Sequence, residues 1–72
     1  METPSRRFDA GDMGCGELVM RLATMLDAMS PGERLDVRST SPGSGSDLPA
    51  WCRMRGHTLV RVDPPLFLIE RG

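Results

Sequence analysis

The feature that most constrains this fold is a run of apolar residues at helical spacing in the segment 17–29. Apolar residues recur every three or four positions there, at 18, 22, 25, 26 and 29, so they share one face of a helix. Ser30-Pro31-Gly32 follows, and such a sequence ends a helix. The pattern therefore predicts an amphipathic helix over 17–29, preceded by the glycine-rich turn 11–16.

Short alternating segments on both sides of this helix are typical of β-strands. The segment 6–10 places Phe8 and Ala10 on one side, and 34–39 places Leu35 and Val37 on one side. The segments 57–63 and 66–71 are separated only by Pro64-Pro65. We therefore expect four strands, the last two paired as a hairpin.

A second helix is predicted after the Ser/Pro/Gly loop 40–46. Ser46 or Asp47 is a suitable N-cap, and Pro49 then falls in the first turn, where its missing N–H is harmless. One face carries the residues 48, 51, 52 and 55, with Trp51 the largest side chain offered to the core. Gly56 stands where a helix commonly ends in glycine.

The resulting order is β-α-β-α-β-β, which predicts an α/β two-layer sandwich. Right-handed crossovers place both helices on one face of the sheet and leave the other face bare. A chain of 72 residues buries only about 60% of its unfolded surface, so we expect a single domain spanning 1–72. Residues 1–5 are predicted to be disordered.

The charge balance argues against a nucleic-acid-binding or membrane protein. The net charge is −1, and the nine basic residues are all arginine, so there is no broad positive field. No segment has the ~18 consecutive apolar residues of a membrane span, and residues 1–10 lack the apolar stretch of a signal peptide. Together with only two cysteines, this predicts a cytoplasmic protein with free thiols.

Several short segments between residues 8 and 71 form a recognisable set. They are Phe8-Asp9-Ala10, Cys15-Gly16-Glu17-Leu18-Val19-Met20, Pro31-Gly32-Glu33, Asp47-Leu48-Pro49-Ala50-Trp51-Cys52 and Gly56-His57-Thr58-Leu59. With them the chain resembles the TusA-like (SirA-like) sulfur carriers over nearly its whole length. The resemblance implies a mixed four-stranded sheet with two helices on one side, and a cysteine at the start of the first helix that carries a persulfide between proteins.

The site motif departs from the family pattern. Where the family has Cys-Pro-x-Pro, this chain has Cys15-Gly16-Glu17-Leu18, so both prolines are replaced. Glycine lacks the conformational restriction of proline, and we expect a more mobile turn around Cys15. Two interpretations are compatible with the loss of both prolines. The protein is either a sulfur carrier with a degenerate motif, or a module that keeps the fold but has lost the sulfur chemistry.

Cys15 is the candidate catalytic residue. A thiol at a helix N-terminus is near the positive end of the helix and its free N–H groups, which favours the thiolate and predicts a lowered pKa. Negative charge on Asp12 and Glu17 opposes this effect. The simpler alternative is that Cys15 is only a small residue in a turn.

The other candidate residues have structural interpretations. Cys52 shares a face with Leu48 and Trp51, so we expect a buried, inert thiol. Cys15, Cys52 and His57 lack the spacing and the fourth ligand of a metal site, and no cofactor is predicted. The methionines on the helices, at 13, 20, 25, 29 and 54, are predicted to fill the core.

The function that follows is a sulfur relay with Cys15 as its only site residue. Cys15 would accept sulfur from a cysteine desulfurase or a rhodanese-like donor and pass it to an acceptor protein, in a pathway such as tRNA thiolation. We expect a monomer without direct contact to nucleic acid or membrane. The alternative is a non-catalytic binding or regulatory module, and a weaker one is RNA binding through the bare sheet face.

Overall fold

The fold has the six predicted elements in the predicted order. The computed structural model describes residues 4–72. Along the chain the elements are β1 (Arg6–Gly11), α1 (Cys15–Asp27), β2 (Arg34–Ser39), α2 (Ser44–Arg55), β3 (Thr58–Asp63) and β4 (Leu66–Glu70). Within the described residues, the strands form a mixed four-stranded sheet in the order β1-β2-β4-β3. The predicted α/β two-layer sandwich is thus confirmed.

The sheet combines one parallel pair with two antiparallel pairs. β1 lies parallel to β2, while β4 runs antiparallel to both β2 and β3. The predicted β3–β4 hairpin is present, with the Pro64-Pro65 peptide bond in the cis form. The crossovers β1-α1-β2 and β2-α2-β3 proceed in the same direction across the sheet, so both helices cover the same face.

The core lies between this face and the two helices. In the sheet, Val37 of β2 is paired with Phe8 of β1 on one side and Phe67 of β4 on the other. The helices contribute side chains that are buried against this layer: Leu18, Leu22 and Leu26 from α1, and Leu48, Trp51 and Cys52 from α2. The apolar periodicity of the sequence therefore predicted the core-facing positions of α1.

The second helix begins earlier than predicted. α2 starts at Ser44, and its N-cap is Gly43, which has a left-handed φ of 91° and makes no side-chain capping bond. The assignment of Ser46 or Asp47 as the cap was therefore wrong. Pro49 lies at the sixth helical position, where it leaves the carbonyl of Gly45 without an i+4 donor. Gly56 ends the helix in the left-handed conformation, as predicted.

Other boundaries shift by one or two residues. α1 begins at Cys15 and ends at Asp27, whereas the pattern predicted 17–29; Met29 is nonetheless buried just after the helix. Two of the methionines assigned to the core were placed wrongly. Met20 and Met54 are 71% and 75% exposed, because each points away from the sheet on the outer side of its helix.

The open face of the sheet is covered mainly by charged side chains. Arg38 and Asp9 form an ion pair at 3.1 Å across β2 and β1, and Arg34 and Glu70 form another at 3.1 Å across β2 and β4. Leu68 is buried on this face although no helix covers it. Alternating charge of this kind gives the face no continuous positive surface.

The first residues of the chain were predicted to be disordered over 1–5. Residues 1–3 lie outside the described part, and the backbone N–H of Ser5 donates a hydrogen bond to the Arg34 carbonyl at 2.8 Å.

Neither helix in residues 4–72 is long and apolar enough to cross a membrane.

Phe67 is the side chain on which we expect this small core to depend most. It is 1% exposed and lies at the centre of the helix-facing side, whereas Leu66, its neighbour on the open face, is 42% exposed. Phe67→Ala should lower the free energy of unfolding by about 3–5 kcal/mol, because it leaves a cavity in the core. Urea unfolding followed by Trp51 fluorescence measures the change.

Leu66→Ala is the matched control for this prediction. Because Leu66 is 42% exposed and lies outside the core, the substitution should cost less than about 1 kcal/mol. Similar losses for Leu66→Ala and Phe67→Ala would contradict the assignment of the helix-covered face.

Candidate functional site

Both helices begin at the same edge of the sheet, and the candidate site around Cys15 lies at this edge. α1 follows the carboxyl end of β1, and α2 follows the carboxyl end of β2. Because β1 and β2 are parallel, these two ends lie at the same edge. The N–H of Thr40 donates to the carbonyl of Gly11 at 2.7 Å and joins the two connecting loops. The N-termini of the two helices are therefore neighbours.

A tight turn leads from β1 into α1. The pairing of β1 with β2 shifts register between Asp9 and Gly11, and Gly11 has a φ of 55°, which favours glycine. Its N–H donates to Oδ1 of Asp9 at 3.0 Å, and the N–H of Met13 donates to the carbonyl of Ala10 at 3.0 Å. These bonds fix the direction in which the chain enters α1.

Cys15 is the first residue of α1, so the predicted placement at a helix N-terminus is confirmed. Gly14 is the N-cap and has no side chain to bond the free N–H groups; its carbonyl accepts the N–H of Leu18 at 2.9 Å. The Cys15 side chain is half-buried, while Gly14 and Gly16 on either side are exposed. The two glycines therefore place no side chain of their own beside the sulfur.

The start of α2 is held by a pair of buried hydroxyl groups. Ser39 at the end of β2 and Ser44 at the start of α2 share a hydrogen bond of 2.6 Å between their Oγ atoms. The carbonyl of Gly43 accepts the N–H of Asp47 at 2.8 Å, which sets the first helical turn. This turn points the Asp47 side chain towards the start of α1.

Asp47 of α2 is the acid that most affects the ionisation of Cys15. Hydrogen bonding to its carboxylate is the main influence that raises the pKa of the Cys15 thiol above its ordinary value. Burial and the negative charge of Asp47 raise the pKa further. The resting sulfur is thus held as a thiol beside a carboxylate.

The sequence prediction of a lowered Cys15 pKa was therefore wrong. It considered the helix N-terminus and the acids adjacent in sequence, Asp12 and Glu17, but not a carboxylate from the other helix. The charge that acts on the thiol is that of Asp47. The sequence offers Asp47, with Ser46, as a candidate helix cap, and no local pattern indicates that its charge acts on Cys15.

Cys52 is the buried thiol that the sequence predicted. It is 1% exposed on the core face of α2, and burial raises its pKa to about 11. Both cysteines are free thiols. A cysteine so deeply buried and so reluctant to ionise is a poor nucleophile near neutral pH.

His57 follows the C-terminus of α2, whereas Asp47 is in its first turn, and the helix from Asp47 to Arg55 is about 12 Å long. Its ring packs on Trp51 with centroids 5.8 Å apart, and its Nδ1 accepts the N–H of Gly72 at 3.1 Å. Burial, followed by the positive charge of Arg71, lowers the pKa of His57. His57 therefore belongs to the packing at that end of the helix.

Cys15, Cys52 and His57 are not brought together by the fold. In residues 4–72 no group of three or more His, Cys, Asp or Glu side chains is placed to hold a metal ion. The three side chains therefore form no common metal site within the described residues.

Comparison with known proteins identifies the family. The family model described as "Sulfurtransferase TusA" matches residues 6–69, which include every helix and all but the last residue of the sheet. The chain belongs to the TusA family. It is also 36% identical to the sulfur carrier protein TusA of Pseudomonas putida (strain W619), over 59 residues that cover 82% of this chain and 74% of the relative.

The TusA match includes Cys15 and Asp47. Residues 16 and 18, where the resemblance leads us to expect prolines, differ in their burial. Leu18 is fully buried under α1, so this substitution adds a side chain to the core. Gly16 is exposed, and a Cβ atom there would meet nothing within 4 Å. Packing therefore does not require glycine at position 16.

The two cysteines should differ strongly in reactivity. In native protein near neutral pH, iodoacetamide should alkylate Cys15 at least about tenfold faster than Cys52, because Cys15 is accessible and Cys52 is buried with a pKa of about 11. Peptide mass spectrometry of samples quenched at intervals gives both rates.

Alkylation in concentrated urea provides the control, since unfolding should make the two rates similar. Equal rates in the native protein, or faster modification of Cys52, would count against Cys15 as the accessible thiol.

Proposed function

We propose that this protein carries sulfur as a persulfide on Cys15 and relays it from one protein to another. Membership of the TusA family supports a role in sulfur transfer. The assignment to Cys15 rests on the contrast between the two cysteines of the protein. Cys15 is half-buried at the start of a helix, whereas Cys52 is fully buried in the core.

The transfer is an exchange of one sulfur atom between two thiols. The Cys15 sulfur attacks the outer sulfur of the donor's persulfide, and a new S–S bond forms as the donor's S–S bond breaks. The electron pair of that bond and the proton of Cys15 pass to the donor cysteine, which becomes a thiol. Delivery repeats the step with an acceptor thiol as the attacking group, so no external oxidant or reductant is consumed.

The first turn of α1 is suited to hold the loaded sulfur. The N–H groups of residues 15–17 have no intrahelical acceptor, because the first bond of the helix is made by Leu18. An outer persulfide sulfur is anionic near neutral pH, and free N–H groups at the positive end of a helix stabilise such charge.

The shape of the molecule favours chemistry within a complex of two proteins. Two depressions, of about 190 and 370 Å³, lie on the open sheet face, and Arg7, Asp36 and Leu66 line both of them. Ordinary ligand pockets measure about 300–1,000 Å³, and both depressions are on the side of the sheet away from the helices. Cys15 itself is in an exposed turn that can enter a partner's active site.

The partners that fit this role are a donor with a persulfide and an acceptor with a thiol. We infer a cysteine desulfurase or a rhodanese-like protein as donor, and a sulfur-accepting protein next in the relay. Two free cysteines are consistent with a protein that works as a monomer in the reducing cytoplasm. The mixed charges of the open sheet face do not favour RNA as a ligand.

Sulfur loading tests the proposal directly. Incubation with a cysteine desulfurase and L-cysteine should give a product one sulfur atom heavier, and fragmentation should place that sulfur on Cys15. Cys52→Ala should load like the parent protein, whereas Cys15→Ser should not load. Intact-mass spectrometry under non-reducing conditions measures each species.

Two results would reject the relay. If sulfur is found on Cys52, the site is wrong. If the parent stays unloaded while a relative with the full Cys-Pro-x-Pro motif is loaded by the same donor, the chain is the non-catalytic module.

A further inference from the structure

The open face of the sheet carries two parallel rows of side chains that run across all four strands. In the order β1, β2, β4, β3, the strand register places side by side in the first row Arg7, Asp36, Leu68 and Arg61. The second row, two residues away along each strand, is Asp9, Arg38, Leu66 and Asp63. Because side chains alternate between the two faces of a strand, both rows lie on the face away from the helices.

The two rows carry opposite charges. On β1 and β3 the first row has arginine and the second has aspartate, and on β2 the order is reversed. On β4 both rows have leucine. Neighbours within a row are matched as well, as the 3.1 Å ion pair between Arg38 and Asp9 shows. A surface with this pattern is complementary to a copy of itself in which the two rows are exchanged.

A twofold axis that runs across the strands, midway between the two rows and in the plane of the interface, makes this exchange. It lays the second row of one copy over the first row of the other, so that each contact occurs twice. The facing charged pairs, one residue from each copy, are then Arg7 with Asp9, Asp36 with Arg38, and Arg61 with Asp63.

The charge pattern also selects this orientation against the other simple one. A twofold axis along the strands would place β1 over β3 of the second copy. Arg7 would then face Arg61, and Asp9 would face Asp63, so like charges would meet at both edges of the sheet. Charged groups arranged in this way give an interface its specificity more than its affinity.

The leucines of β4 supply the apolar contact of the same arrangement. Leu66 is 42% exposed and stands out into water, whereas Leu68 is only 6% exposed. Both line the depression of about 190 Å³ on this face, which is smaller than an ordinary ligand pocket. Exchange of the rows places Leu66 of each copy over Leu68 of the other, so a protruding side chain enters a depression twice.

We propose that the open sheet face binds a second copy of this chain, in a face-to-face dimer with the two rows exchanged. This inference does not depend on the sulfur relay. It also leaves Cys15 exposed, because α1 begins on the opposite side of the sheet.

The size of the face sets the strength of this dimer. Four strands about 4.8 Å apart, each of five or six residues at about 3.3 Å per residue, make a face of roughly 15–20 Å on each side. That is at the low end of specific interfaces, which bury about 1,200–2,000 Å² in total. The dimer is therefore weak and depends on concentration, and the dilute protein remains the monomer that acts in the relay.

Sedimentation equilibrium measures the association directly. Between about 10 μM and about 1 mM parent protein, the weight-average mass should rise from the 7.9 kDa of one chain towards that of two. A reductant is present throughout, so that a disulfide between two Cys15 thiols makes no contribution. A parent that stays monomeric at the highest concentration overturns the proposal.

A pair of charge reversals on β2 tests the exchanged rows. Asp36→Arg places like charges opposite Arg38 of the second copy, and Arg38→Asp does the same opposite Asp36. Each variant alone should associate at least about tenfold more weakly than the parent, because like charges that face each other are costly. An equal mixture of the two should associate again, since at these positions every facing pair then has opposite signs.

Two further variants separate this surface from the rest of the molecule. Arg53→Asp, at an exposed position of α2, makes the same change in net charge as Arg38→Asp and should leave the association unchanged. Leu66→Ala should weaken it about tenfold by removing the apolar contact. Circular dichroism establishes that each variant is folded. Undiminished association of Leu66→Ala and of both charge reversals overturns the proposal, as does failure of the folded mixture to recover.

Discussion

The parallel pairing of β1 with β2 is the constraint on which the rest of the structure depends. It sets Phe8 beside Val37 in the core and brings the carboxyl ends of both strands to one edge of the sheet. Each strand continues into a helix there, so the two helix N-termini converge. The loops are short and bonded to each other through Thr40 and Gly11, which leaves little freedom in how the helices begin.

This arrangement places the candidate site around Cys15 at the edge of the sheet and not in a cavity. The parts are a thiol in the first turn of one helix, a carboxylate in the first turn of the next, and glycines that leave the sulfur accessible. The backbone favours negative charge on the sulfur, while Asp47 opposes it.

The sequence predicted the parts of the fold that depend on local pattern. Apolar periodicity predicted α1, alternation predicted the strands, and Gly56 marked the end of α2; the buried Cys52 followed from the face it shares with Trp51. The start of α2 was missed because it depends on a hydroxyl pair between Ser39 and Ser44, which no sequence pattern reveals. The sign of the Cys15 pKa shift was missed for the same reason, since Asp47 is distant in sequence and near only after β1 and β2 pair.

A carboxylate from α2, and not the helix N-terminus alone, sets the ionisation of Cys15. The most direct measurement is an NMR titration of protein labelled with ¹³C at cysteine Cβ, which follows both thiols separately in the unmodified chain. We predict that Cys15 titrates above the ordinary cysteine pKa and that Cys52 titrates above it too, near 11. A Cys15 pKa below that of a free cysteine would contradict a controlling role of Asp47.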